Sequence, residues 1–272
     1  MTSERSRPFL KWAGGKYRLL DRLQPLLQGR KLIEPFVGAG SVFLNLPFER
    51  FLVGDINPDL INLYECLKKE KKSFIQYSQS FFNDLNNKKI QYLSFREEFN
   101  NGAEGRRRAA LFVYMNRHGF NGLCRYNKGG GFNVPFGRND KPYFPEKEMY
   151  HFIERAKKTK FVCGDFISLM NRATKGDVVY CDPPYVPLSP TASFTSYAAQ
   201  GFSYDQQVEL AYRAQHLANR GVKVVISNHD NAITRQIYQD AEIESFLVRR
   251  FISRDGKNRG NANELLAIYD GT

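Results

Sequence analysis

Val178-Val179-Tyr180-Cys181-Asp182-Pro183-Pro184-Tyr185 decides how the rest of this chain is read. The first four residues form a continuous apolar run, the pattern of a parallel strand buried on both faces. The next four end it, because proline has no N–H for a sheet ladder and two in succession impose an extended, rigid turn. A carboxylate, the Pro183 carbonyl and the Tyr185 ring thus arrive together at the carboxyl end of a strand, where open α/β sheets gather their ligands. Two acceptors beside a ring suit a planar exocyclic amine: its N–H groups are accepted while its base is stacked. A surface turn after a strand carries the same signature, so the other strands must decide.

They run on both sides of this stretch. Leu32-Ile33-Glu34-Pro35-Phe36 reads as a short strand entering Gly38-Ala39-Gly40, with Ser41 as cap of a helix from Val42. Strand, glycine turn and helix make a cradle whose backbone N–H groups face a nucleotide-type ligand, although the third glycine of a dinucleotide fingerprint is missing. Phe51-Leu52-Val53-Gly54-Asp55 is a second strand tipped by a carboxylate, placed to accept from ribose hydroxyls. Asn57-Pro58 then caps and starts a helix marked by Leu60, Ile61, Leu63 and Tyr64. Phe161–Phe166 gives a third strand ending in Asp165 and Phe166, a carboxylate and a ring able to hold an adenine. Pro145 starts a helix, Ser203 and Gln206 form a capping box for a helix through Leu217, and Val222–Ser227 is a further buried strand. Two C-terminal strands, near Glu244–Ile252 and Glu264–Tyr269, flank a basic loop, Arg254–Gly260. The aperiodic stretch Val186–Phe202 reads as a mobile loop over the site. In the N-terminal segment Trp12 precedes Gly14-Gly15 and Lys16, where a helical pattern begins.

Between the second and third strands the character changes. Residues 66–110 carry Phe74, Tyr77, Phe81, Phe82, Tyr92, Phe95 and Phe99 at near-helical spacing, a helical insertion whose rings form its own small core. Arg106–Arg138 crowds arginines, asparagines, glycines and aromatics together. Its Lys128–Gly131 turn predicts a β-hairpin joining Asn116–Asn127 to Phe132–Arg138. Arginine reads guanine, asparagine reads adenine, and an exposed ring such as Phe120 can wedge into a base stack, so this segment is expected to contact DNA.

At 272 residues, 42% hydrophobic and 14% aromatic, the chain buries a full core and is not a disordered polymer. A net charge of +12 points to a polyanionic partner. Cys66, Cys124, Cys163 and Cys181 include no C-x-x-C pair, and two fall in predicted buried strands. Free thiols in a reducing cytoplasm follow, with no metal site. No apolar run approaches the ~18 residues of a membrane span, so a soluble intracellular protein is expected.

The runs Phe9–Tyr17, Glu34–Asn45, Asn121–Asn127, Phe132–Arg138 and Tyr180–Tyr185 together resemble the Dam-type DNA adenine-N6 methyltransferases, over nearly the whole chain. The resemblance implies a Rossmann-like, mostly parallel α/β sheet of seven strands with an antiparallel terminal strand and a helical plus β-hairpin DNA-recognition insertion. It divides the chain into a first catalytic part (1–57), the insertion (58–145) and a second catalytic part (146–272). It implies S-adenosylmethionine as cofactor, contacted by Trp12, Lys16, Phe36, Gly38, Gly40, Asp55, Asp165, Phe166 and Asp182. Asp182, Pro183, Pro184 and Tyr185 would receive a flipped-out adenine. Double-stranded GATC would be contacted by Lys11, Phe120, Asn121, Leu123, Arg125 and Pro135, with Arg138 on phosphate, in an enzyme expected to be a monomer in the cytoplasm of a bacterium or encoded by a phage. His118, Phe120 and Asn139 stand where the family pattern has tyrosines, which removes hydroxyls from the DNA side. Three other readings stand beside this one: a catalytically silent DNA-binding module, a methyltransferase for protein glutamine or RNA, and, fitting worst, an NAD-dependent oxidoreductase.

Overall fold

A computed structural model describes residues 5–186, 202–249 and 261–271. Apart from Val186 and Phe202, the loop expected over the site lies outside the described residues, as does the basic Arg254–Gly260 segment. Seven strands form one sheet in the order β3-β2-β1-β4-β5-β7-β6. Numbering runs outward in opposite directions from β1 and β4, so the order reverses between them, which is where doubly wound sheets open a crevice. Two compact units are distinguished: Met1–Arg22 with Val37–Gly164, and Leu23–Phe36 with Asp165–Thr272.

In the first unit β2 (Arg50–Asp55) lies parallel to β3 (Thr159–Cys163), with Asp55 opposite Cys163. Helix α1 (Leu20–Leu26) precedes them in the chain, behind a 3-10 turn at Lys16–Leu19, and α2 is Ser41–Asn45. Helix α3 (Pro58–Glu70) starts as expected: Asn57 Oδ1 accepts from the Asp59 and Leu60 N–H groups and Pro58 occupies the first turn. The helices α4 (Lys72–Gln79), α5 (Lys89–Asn100), α6 (Gly105–His118) and α7 (Glu146–Ala156) follow before β3. The rings of the insertion form its core as predicted, with Phe74, Tyr92 and Phe99 fully buried. Each contributes about 1.5–3 kcal/mol by leaving water.

Two expectations for this unit are redrawn. Arg106, Arg107 and Arg108, expected on a nucleic-acid surface, are each ion-paired within the insertion. Arg106 pairs with Glu70 at 2.9 Å, and Arg107 makes a fork with Glu98 at 2.6 and 2.8 Å. Arg108 is paired with the buried Asp59 and donates to the Phe99 carbonyl at 2.6 Å. Three cations in the first turn of α6 oppose its dipole, and carboxylates on α3 and α5 neutralise them. The hairpin is present but starts later than drawn. Asn116–His118 belong to the end of α6; beyond them the arms pair antiparallel, with bridges Gly119–Phe136 and Tyr126–Phe132 and with the Phe120 N–H donating to the Pro135 carbonyl at 2.9 Å and the Asn133 N–H to the Arg125 carbonyl at 3.0 Å. Its turn is as expected, closed by Gly130 N–H donating to the Asn127 carbonyl at 3.0 Å.

In the second unit β1 (Lys31–Glu34) and β5 (Lys223–His229) flank β4 (Asp177–Cys181), both parallel to it. Every residue of β4 is buried, as the apolar run requires. The C-terminal strands β6 (Glu242–Arg249) and β7 (Asn261–Tyr269) complete it as an antiparallel pair, β7 antiparallel to β5. Helices α8 (Phe166–Met170), α9 (Tyr204–Ala218) and α10 (Ala232–Ile237) connect the strands. The Ser203–Gln206 capping box of α9 is present in both directions.

Candidate active site

Gly38 and Gly40 lie in the left-handed region at φ +46° and +81°. A Cβ on Gly38 would stand 2.8 Å from the Trp12 indole nitrogen, and one on Gly40 would meet the Phe43 ring. Both positions thus need glycine for conformation and for space. Gly40 itself precedes the first turn of α2. Ser41 is the first helical residue and makes no capping bond, which corrects the expected cap.

Asp55 closes this cradle. Its carboxylate accepts from the Gly38 N–H at 3.1 Å and the Asn57 N–H at 3.0 Å, tying the glycine turn to the tip of β2. Burial pushes its pKa above the ordinary carboxylate value, against backbone N–H donors that pull it down. Ile56, next in the chain, is 76% exposed and offers an aliphatic face beside the half-buried acid. An anchored acceptor with an apolar neighbour matches a nucleoside, ribose hydroxyls on the acid and base on the aliphatic face. Lys16 is buried and folds its ammonium onto the Gly14 carbonyl at 2.6 Å.

The second unit holds the Asp182–Tyr185 turn and three rings. Phe36 stacks on Phe166 at 5.6 Å, and Phe202 meets both edge-on. Asp165 is exposed and caps α8, accepting from the Ser168 N–H at 2.8 Å. Strand β3 ends earlier than predicted, at Cys163, whose thiol is exposed where a buried one was expected.

The turn is gripped from beneath by polar residues at the end of β5. Asp182 Oδ1 accepts from the Ser227 hydroxyl at 2.9 Å. The Pro184 carbonyl accepts from Gln207 at 2.8 Å, and Val186 is held through its N–H to Asn228 at 3.1 Å and its carbonyl to His229 at 2.6 Å. Tyr185 donates to Glu264 at 3.2 Å and lies edge-on to the His229 ring at 4.7 Å. Burial and the neighbouring Asp182 charge push its phenol pKa well up, so it stays protonated. The Pro183 carbonyl, by contrast, accepts no hydrogen bond among the described residues. A fixed carboxylate, an unspent carbonyl and a held ring can grip an amino group and stack its base.

The expected DNA-contacting side chains lie in the first unit. Lys11, Phe120, Asn121, Arg125, Pro135 and Arg138 are exposed and Leu123 is half-buried. Arg125 is pre-set by Asn133, donating to its side-chain oxygen at 2.7 Å and its carbonyl at 3.0 Å. Asn121 sits at φ +53° in a 3-10 turn. Partial burial, then the charge of Arg117, lowers the pKa of Lys11. Arg117 and His118, read as part of the basic surface, are buried instead.

Sequence reasoning missed the residues that orient these groups. Asn116 accepts from the Lys11 N–H at 2.9 Å and donates to the Lys11 carbonyl at 2.8 Å and the Gly122 carbonyl at 3.0 Å. Ser227, Asn228 and Gln207 are wholly buried beneath the turn. The available signal was the polar run Ser227-Asn228-His229 ending an otherwise apolar strand. No helix among the described residues is long and apolar enough to cross a membrane.

The family described as D12 class N6 adenine-specific DNA methyltransferase matches residues 12–250. A DNA adenine methylase of Vibrio cholerae serotype O1 is 52% identical over 268 residues, covering 98% of this chain and 97% of that protein. Those of Salmonella typhimurium (strain LT2) and Escherichia coli (strain K12) are 52% and 51% identical over 267 residues, covering 98% of this chain and 96% of each.

Proposed function

Because the chain belongs to the D12 class of N6 adenine-specific DNA methyltransferases, we propose that its donor is S-adenosylmethionine and its target an adenine extruded from duplex GATC. Bound beside the cradle, that donor would supply an electrophilic methyl group on a sulfonium sulfur. Asp55 and Ile56 would hold its nucleoside, with Trp12, Lys16, Gly38 and Gly40 shaping the cradle and Phe36, Asp165, Phe166 and Asp182 as further contacts.

Adenine N6 is a poor nucleophile because its lone pair is delocalised into the ring. Asp182 and the Pro183 carbonyl would accept its two N–H bonds and favour a pyramidal nitrogen whose lone pair points at the methyl carbon. Tyr185 would stack the base, offsetting part of the few kcal/mol that extrusion costs. Lys11, Leu123, Arg125 and Pro135 would read bases, Phe120 and Asn121 would fill the vacated stack, and Arg138 would sit on phosphate. On this reading 58–145 is the recognition insertion and 1–57 with 146–272 the catalytic part, in a monomer working in the cytoplasm.

One observation carries the reading: at the end of β4 the Asp182 carboxylate is held by Ser227 while the Pro183 carbonyl accepts nothing among the described residues. The test is incubation of random duplex DNA with methyl-labelled donor and mapping of the modified base. Label on adenine N6 within GATC is expected. Label on adenines without sequence preference would remove GATC, label on cytosine N4 would remove adenine as the target, and label on a ring carbon such as cytosine C5 would remove the mechanism.

A further inference from the structure

We propose that Tyr180 and Ser227 are positioning residues, a serial pair of hydroxyls that fixes the rotation of the Asp182 carboxylate; this rests on the reading that Asp182 receives the target amino group. The double proline sets the backbone at Asp182, but the carboxylate still turns about its terminal torsion, which has no sharp minimum. Something must set it, and a chain of hydroxyl protons ends on one of its oxygens.

Ser227 Oγ lies 2.9 Å from Asp182 Oδ1, 3.0 Å from the Tyr180 hydroxyl and 3.4 Å from the Cys181 carbonyl. It has one proton to give. Neither the carboxylate nor the carbonyl can donate, so among these three Tyr180 is the donor to Ser227. Tyr180 is fully buried, and Ser227 is the hydrogen-bond partner of its hydroxyl among the described residues. Were the phenol to accept, its own proton would be left buried without a partner, at a cost of a lost hydrogen bond. The order is therefore Tyr180 to Ser227 to Asp182. Burial, helped by the Asp182 charge, keeps the phenol protonated. The serine proton goes to the charged oxygen at 2.9 Å rather than the carbonyl at 3.4 Å because charge-assisted bonds are stronger. Each link polarises the next. Ser227 is wholly buried, so water does not substitute for it from bulk solvent.

The experiment is single-turnover methyl transfer to duplex DNA by wild type, Ser227→Ala, Ser227→Thr, Tyr180→Phe and the Ser227→Ala/Tyr180→Phe double variant, with donor and duplex affinities measured beside it. Ser227→Ala is expected to slow transfer roughly 10- to 100-fold, as loss of an orienting hydrogen bond does elsewhere, with both affinities within about twofold of wild type. Ser227→Thr keeps the hydroxyl and recovers most of the rate. Tyr180→Phe lets Ser227 turn toward Cys181 and loses less than Ser227→Ala. The double variant matches Ser227→Ala, because the phenol acts only through the serine. A Ser227→Ala rate within about twofold of wild type would overturn the proposal, as would affinities falling in step with the rate or losses that multiply in the double variant. Should Ser227→Ala melt below assay temperature, Tyr180→Phe decides alone, an unchanged rate overturning the proposal. If wild type leaves adenine N6 unmethylated, it is the functional reading that fails, not this refinement of it.

Discussion

Replacing Arg108 by alanine separates the arginines that hold the insertion together from those proposed to meet DNA. The Arg108 guanidinium pairs with both oxygens of Asp59, donates to the Phe99 carbonyl at 2.6 Å and lies 3.9 Å over the Phe99 ring. Asp59 is only 5% exposed, and without Arg108 its carboxylate keeps one neutral donor, the Tyr126 hydroxyl at 2.6 Å. Breaking a buried pair from one side costs about 3–5 kcal/mol. The lower end applies here, because the arginine side chain is 27% exposed and water reaches part of the gap. At about 2–4 °C per kcal/mol for a chain of this size, the melting temperature should fall by roughly 6–12 °C. Thermal melts with and without duplex DNA, at two salt concentrations, supply the assay. Arg108→Met combined with Asp59→Asn should recover part of the loss by removing both charges. A variant that melts like wild type, but binds duplex more weakly and with a shallower salt dependence, would show the guanidinium on phosphate and refute this assignment.

Other expectations follow from the same geometry. Arg125→Ala should lose roughly 1–3 kcal/mol of discrimination at one base pair of the site, read by competition between matched and singly altered duplexes; a uniform loss across sequences would place it on phosphate. Gly38→Ala forces a Cβ to 2.8 Å from the Trp12 indole at φ +46°, so donor affinity by calorimetry should drop. The drop should shrink, but not vanish, in a Trp12→Ala background, where only the backbone cost of about 1–2 kcal/mol remains. His118 is buried between Tyr114 and Phe82, and burial lowers its pKa from 6.5 to about 4. The unfolded chain therefore takes up a proton that the folded chain refuses: stability is complete above pH 6.5 and falls as pH drops toward 4. Melts of His118→Phe across that window should lose less stability than wild type; parallel curves would mean the histidine does not titrate there.

The parallel strands were legible because burial on both faces writes them as apolar runs, and the Asn57-Pro58 and Ser203–Gln206 helix starts because capping is local chemistry. The Asp182–Tyr185 turn was legible for the same reason, two prolines closing such a run. What escaped depends on partners far apart in sequence. Asn116 orients Lys11 across 105 positions, and Ser227 orients Asp182 across 45. No local pattern announces such pairs. The ion pairs of Arg106–Arg108 escaped because a cluster of cations looks alike in sequence whether it faces phosphate or the carboxylates of Glu70, Glu98 and Asp59. The hairpin was begun too early because Asn116–His118 are polar and basic residues buried at the end of a helix whose apolar positions lie further back. Ser41 follows a left-handed Gly40, whose conformation already starts the helix, so its side chain is not needed as a cap.

The central claim, that the oxygens of Asp182 and Pro183 grip the amino group that is methylated, is tested most directly by Asp182→Ala assayed for duplex binding and single-turnover methyl transfer in the same preparation. The account predicts that transfer disappears while duplex affinity stays within a few-fold of wild type, since it assigns DNA binding to the insertion. Transfer that survives, or affinity lost in equal measure with it, would contradict the account.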